Sequence, residues 1–306
     1  MIATIKVDNG AQSLAYNPSR GEILVVNGNN TLPQSVISDA TNTAVSGVAG
    51  NGGMLIAYDS GKNEFFETRN SFYNGWVISG DTNAKIADMI VPEEGVYIPS
   101  GICYDSGKGE IFIANSSLSN VVVVSDKTNA QIAKVAVGKS PQGRAYDSGK
   151  GEIFVANSGD STVSVISDGS NQVVATIALP ADSYPTAVVY DSAKGEIFVA
   201  NSRSSTVSII SDGSNKVVTT VTLPQNSGPR ALAYDSGKGE IFVANAGNGG
   251  PGTGTVSVIS DSTNTIIATI PVGTSPVALA YDSGKGEVFV CNSADKTVSV
   301  ISDSSH

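Results

Sequence analysis

The chain of 306 residues carries 28 acidic and 18 basic side chains, a net charge of −10 at pH 7, and one histidine, the terminal His306. That balance excludes a nucleic-acid partner, which calls for a clustered cationic surface. The lone terminal imidazole excludes histidine-based nucleophile pairs and metal sites within the fold. No window reaches about 18 consecutive apolar residues, so membrane insertion is not expected, and Cys103 and Cys291 are too few for a disulfide framework.

In chain order, residues 1–7 read as a lone strand, and Ile2-Ala3-Thr4-Ile5 is identical to Ile267-Ala268-Thr269-Ile270. A repeat then fills the chain. Its landmark is Tyr-Asn-Pro at Tyr16 and Tyr-Asp-Ser at Tyr58, Tyr104, Tyr146, Tyr190, Tyr234 and Tyr281, at spacings of 42, 46, 42, 44, 44 and 47 residues. A period near 44 residues is the length of a four-stranded blade. Residues 187–223 show the pattern: strand A, AVVYDS; strand B, EIFVAN; strand C, TVSIIS; and strand D, KVVTTVTL. The strands are rich in Val, Ile, Thr, Phe and Tyr and separated by Gly, Asn, Asp and Ser. No segment keeps a helical apolar period over ten residues.

The seventh repeat stops after strand C at residues 297–303, and residues 1–7 supply the missing strand D. Pairing the first strand into the last sheet closes a ring and removes its open edge. The expected fold is all-β: a seven-bladed β-propeller of four-stranded blades, one domain over residues 1–306, closed by the N-terminal strand completing the last blade.

Strand B ends in Phe112-Ile113-Ala114-Asn115, Phe154-Val155-Ala156-Asn157, Phe198-Val199-Ala200-Asn201, Phe242-Val243-Ala244-Asn245 and Phe289-Val290-Cys291-Asn292. With this tetrapeptide the chain resembles the YVTN-repeat β-propellers, including those of archaeal surface-layer proteins. Leu24-Val25-Val26-Asn27 matches more loosely, and repeat two departs with Phe66-Glu67-Thr68-Arg69. The resemblance covers essentially the whole chain and implies the fold, with a place in a secreted or cell-surface protein. Similar propellers also include lactonases and lyases, which leaves a hydrolase with a site at the channel mouth as the alternative.

The two faces of such a ring follow different rules. The A–B and C–D turns, typified by DSGKGE, are nearly constant and hold 20 acids against seven bases, so the acidity belongs to that face. Lysine in mid-turn breaks the ligand pattern of a calcium loop, so salt-bridged turns are expected rather than metal sites. The B–C and D–A loops differ in every repeat, which is where a rigid scaffold carries recognition.

Arg144 is the sharpest anomaly, since the other repeats have Leu14, Ile56, Ile102, Val188, Leu232 and Leu279 at its position. A guanidinium there must reach an acid, carbonyls or the channel. It serves either as an anion clamp, joined by Gln12, Gln142 and Arg230, or as a structural group tied to local carbonyls. A second candidate surface gathers Arg69, Phe72, Tyr73 and Trp76 beside Glu93, Glu94 and Tyr97, an aromatic and charged set suited to a sugar or protein. Asn115-Ser116-Ser117 and Asn29-Asn30-Thr31 match the glycosylation tripeptide. Cys103 and Cys291 read as buried small residues. The expected function is a non-catalytic module that binds a protein or glycan through the variable loop face, with no cofactor or metal.

Overall fold

A computed structural model of the chain describes residues 1–7, 10–27, 34–48, 53–69, 74–92, 98–247 and 254–304. These form 28 strands, numbered β1 to β28 in chain order, and no helix. The strands group in fours. One sheet comprises β18 (Pro185–Asp191), β19 (Glu196–Asn201), β20 (Thr206–Ser211) and β21 (Lys216–Thr222), neighbouring strands antiparallel. Five sheets have four strands. The sixth has eight, because the outer strands β9 (Lys85–Ile90) and β13 (Ala130–Ala136) meet through one parallel pair, Ala130 opposite Ile90. Strand β18 starts two residues before the expected AVVYDS, at Pro185 opposite Asn201, and the register shifts before Ala187. Proline is tolerated at a first strand position because no ladder donor is needed there.

The innermost strands are β2 (Ala11–Asn17), β6 (Gly53–Asp59), β10 (Pro99–Asp105), β14 (Pro141–Asp147), β18, β22 (Pro229–Asp235) and β26 (Pro276–Asp282). Each packs against the next, and β26 packs against β2. Strand β1 (Ala3–Lys6) pairs antiparallel with β28 (Thr297–Ser302), Ala3 opposite Val300 and Lys6 opposite Thr297. The first strand of the chain is thus the fourth of the last sheet, as the Ile-Ala-Thr-Ile identity implies. Repeated four-stranded sheets around a closed cycle of inner strands are consistent with a β-propeller.

The core lies between sheets. Alternate residues of a strand face opposite neighbours, so one cluster interleaves Phe154 and Val163 of one repeat with Val188 and Ile197 of the next. Each fully buried side chain of this size contributes roughly 1.5–3 kcal/mol. The cluster at the closure joins Ile5, Val7, Leu14 and Val25 with Cys291, Val298 and Val300.

The constant turns are latches between repeats. Asp147 Oδ1 accepts from the Gly149 and Lys150 amides at 2.8 and 3.2 Å, capping its own turn. Gly151 then turns with φ +65°, where an added Cβ would lie 2.6 Å from Asp168 Oδ2. Lys150 Nζ reaches across to the Asp212 carbonyl. The same bond recurs from Lys62, Lys108, Lys194 and Lys238, and Lys285 to Asp39 bridges the last repeat to the first. Each of Tyr104, Tyr146, Tyr190 and Tyr281 sets its hydroxyl against the turn aspartate of the preceding repeat; burial first, then that carboxylate, raises the phenol, for Tyr190 to about 12.

Outer strands carry a bulge where sequence suggested a plain strand. Val165 faces Ala175 and Ile166 faces Val173, so Val174 is the extra residue, half exposed at the rim. Val45, Ile86, Ile132, Val218 and Ile267 occupy the same bulged position. A bulge twists an edge strand away from pairing with another chain.

Candidate functional site

The inner strands line a cavity of about 280 Å³ that opens to solvent. Its polar lining is Gln12, Ser13, Ser100, Arg144, Thr186 and Arg230, and no carboxylate lines it among the described residues. Two of these hydroxyls are already spent on neighbouring backbone: Ser100 Oγ donates to the Pro141 carbonyl at 2.5 Å and Thr186 Oγ1 to the Pro229 carbonyl at 2.9 Å. Gln12 and Arg230 remain exposed at the mouth.

Arg144 lies half-buried among the aliphatic side chains at its position in the other repeats. Its Nη2 donates to the Ile102 carbonyl, its Nε has no partner, and the Cys103 thiol lies beside it. Burial lowers the guanidinium to about 10, partly opposed by Cys103, and burial raises that thiol to about 11. The arginine lies against Gly101, where a Cβ would be 2.3 Å from Nη1. Glycine at 101 is therefore what lets the side chain lie across the neighbouring strand.

Of the expected clamp, Gln12 and Arg230 line the same cavity as Arg144, whereas Gln142 turns away and donates to Ser158 Oγ at 3.2 Å. In the second candidate surface, Arg69 stacks on Trp76 at 4.6 Å and Lys85 approaches that ring at 5.0 Å. Trp76 itself is half-buried against the core residues Leu24, Val36 and Ile78. Phe72, Tyr73, Glu93, Glu94 and Tyr97 lie outside the described residues, as does Asn29-Asn30-Thr31. Asn115 is fully buried and its Oδ1 accepts from the Ile98 amide at 3.2 Å, so the folded chain does not offer it for glycosylation. The motif asparagines have a structural use: Asn157 Nδ2 donates to Thr162 Oγ1 and Ser164 Oγ at 3.0 and 2.9 Å, tying the base of the B–C loop.

Two features were not singled out as sites in the sequence. Tyr184 precedes Pro185 with φ 52°, where Ser140, Gly228 and Ser275 stand in other repeats with φ 50°, 52° and 54°. A bulky residue in the left-handed region costs free energy. Arg203 of the facing B–C loop lies over its ring at 5.1 Å, and Asp182 is 4.0 Å from Arg203. Comparing equivalent loop positions would have exposed this tyrosine. The second is Glu67, fully buried where other repeats have Val or Ile. Gln34 of the preceding repeat, itself in a valine position, donates to its Oε2, while Oε1 has no partner. Burial pushes the carboxyl up to about 7, offset by Gln34 and Arg69. Gly53 leaves the space: a Cβ there would be 1.9 Å from Glu67 Oε1.

No protein-family model matches the chain, and no curated protein is similar to it. Among solved structures, a chain of Kuenenia stuttgartiensis hydrazine synthase superposes with a TM-score of 0.83 over 98% of this chain and 98% of that chain, at 14% identity. A likeness at that identity bears on the fold alone, an all-β, β-propeller-like architecture.

Proposed function

We propose that the chain is a single seven-bladed propeller of the YVTN-repeat type, closed by β1, and a non-catalytic binding module of a secreted or cell-surface protein. It recognises a glycan or protein partner with its B–C and D–A loops. One observation carries this reading: the latches on the turn face repeat from sheet to sheet, while the opposite face departs at equivalent positions, most sharply where Tyr184 takes a strained backbone beneath Arg203. A tyrosine ring with a cation over one face and an acid beside that cation gathers apolar, cationic and hydrogen-bonding groups for one partner. Strain kept where siblings have Ser or Gly supports use of the side chain itself.

Tyr184→Ser restores the sibling residue and separates binding from folding. The variant is expected to melt at or slightly above the wild-type temperature and to lose at least tenfold in affinity for ligands that wild type selects from a printed oligosaccharide array or from purified surface proteins. Binding that survives the substitution unchanged overturns this assignment of the face.

A further inference from the structure

We propose that the central cavity is a binding site for a small carboxylate anion, with Arg144 as its cationic anchor. This site is separate from the loop-face reading and stands without it. Taking a guanidinium out of water is costly unless a counter-charge and hydrogen bonds replace the solvent. Among the described residues Arg144 forms no ion pair; its anchoring bond goes to the Ile102 carbonyl, the neutral Cys103 thiol lies beside it, and Nε is left unused. The remaining titratable lining residue is Arg230, so the cavity carries two positive charges and no negative one among the described residues. The acids that give the chain its net charge sit in the A–B and C–D turns.

The surroundings are shaped for this arginine. Gly101 accommodates the guanidinium; Gly143 before Arg144 matches Gly101 itself in β10, where other inner strands have Ser13, Leu55, Ala187, Ala231 and Ala278, and a Cβ at 143 would lie 2.4 Å from the Ala187 Cα. In those strands the equivalent residue is paired with its neighbour strand, whereas the register of β14 jumps from Pro141 directly to Arg144. A purely structural arginine, spent on the Ile102 carbonyl, accounts for the bond but leaves the charge and Nε uncompensated. A carboxylate in the cavity supplies the missing counter-charge to the guanidinium, while Nε stays closed off behind it.

Leu14, Ile56, Val188, Leu232 and Leu279 supply an apolar collar at the same depth. The ligand class is therefore a small carboxylate with its oxygens at Arg144.

The probe is butyrate, titrated into the full chain by calorimetry at constant ionic strength, with chloride as comparator. Wild type is expected to bind one butyrate per chain, with chloride at least about tenfold weaker. Arg144→Leu is expected to melt no lower than wild type and to weaken butyrate at least about 30-fold, and Arg144→Lys, which loses the fork, about tenfold. Phenylglyoxal labelling of wild type, read by mass spectrometry, supplies a test that needs no variant: butyrate slows labelling of Arg144 but not of Arg230. Absence of saturable butyrate binding, equal binding by Arg144→Leu, chloride binding as tight as butyrate, or no protection of Arg144 each overturns the proposal.

Discussion

At Glu67 a single residue sets a measurable pH dependence. Its folded carboxyl titrates near 7 because burial disfavours the charge, against about 4.3 in an unfolded chain. A raised pKa means that the folded state holds the proton more tightly. The stabilisation is complete below about pH 4 and is lost as pH rises through about 7. Asp39, Asp126, Asp168 and Asp261 are raised by burial as well and act in the same direction. Glu67→Gln removes the titration and keeps the amide-sized group that fills the space beside Gly53. Denaturant unfolding at pH 4 and pH 8 is expected to show wild type losing more stability than Glu67→Gln, by no more than about 3 kcal/mol. Parallel losses in the two proteins would remove Glu67 as the cause. The residue was visible in the sequence only as a break in the strand B motif. Its partner Gln34 sits 33 positions away in a different repeat, and nothing local links the two.

Elements were more legible than sites, because strand, turn and repeat are local patterns whereas a site depends on which repeats face one another. Tyrosine landmarks and Gly-containing turns located the strands, and the duplicated Ile-Ala-Thr-Ile located β1 beside β28. Bulges were hidden, since a run such as Val173-Val174-Ala175 alternates no differently from a flat strand. Arg144 stood out as a charge in an apolar column, yet its lodging against Gly101 required the neighbouring strand. The β1 element has its own test. Ile2 and Val7 amides bond to the Val300 and Lys296 carbonyls at 2.8 and 3.1 Å, and Ile5 is buried in the closing cluster. Removing residues 1–7 exposes the edge of β28 and loses these and the ladder bonds, at roughly 1 kcal/mol each. The shortened chain is expected to melt at least about 5 °C lower and to self-associate through that edge. An unchanged melting temperature with a monomeric profile would mean that the β1 pairing contributes nothing.

For the whole molecule, closure by pairing rather than by a covalent turn makes the junction between β28 and β1 the place where opening is easiest. The other sheets join their third and fourth strands through a continuous C–D turn, as Ser211 and Lys216 do on either side of residues 212–215, whereas this sheet joins chain ends. The junction is held by the Lys285 bond to the Asp39 carbonyl, by Asn42 Nδ2 donating to Glu287 at 3.3 Å, and by the shared cluster of Leu14 and Val298. Linking Asp303 to Met1 through the sequence of residues 213–216, Gly-Ser-Asn-Lys, places Met1 and Ile2 where Val217 and Val218 follow their own turn. New ends are then cut between Gly169 and Ser170, in an exposed C–D turn. Loop closure entropy depends weakly on where a cyclic chain is opened, so the permutant is expected to fold with a melting temperature within about 5 °C of the original. Its weak point moves with the cut: Lys150→Ala, next to the new ends, is then expected to speed unfolding more than Lys285→Ala, the reverse of their order in the original chain. If Lys285→Ala stays the faster unfolder in the permutant, opening does not begin at the chain ends.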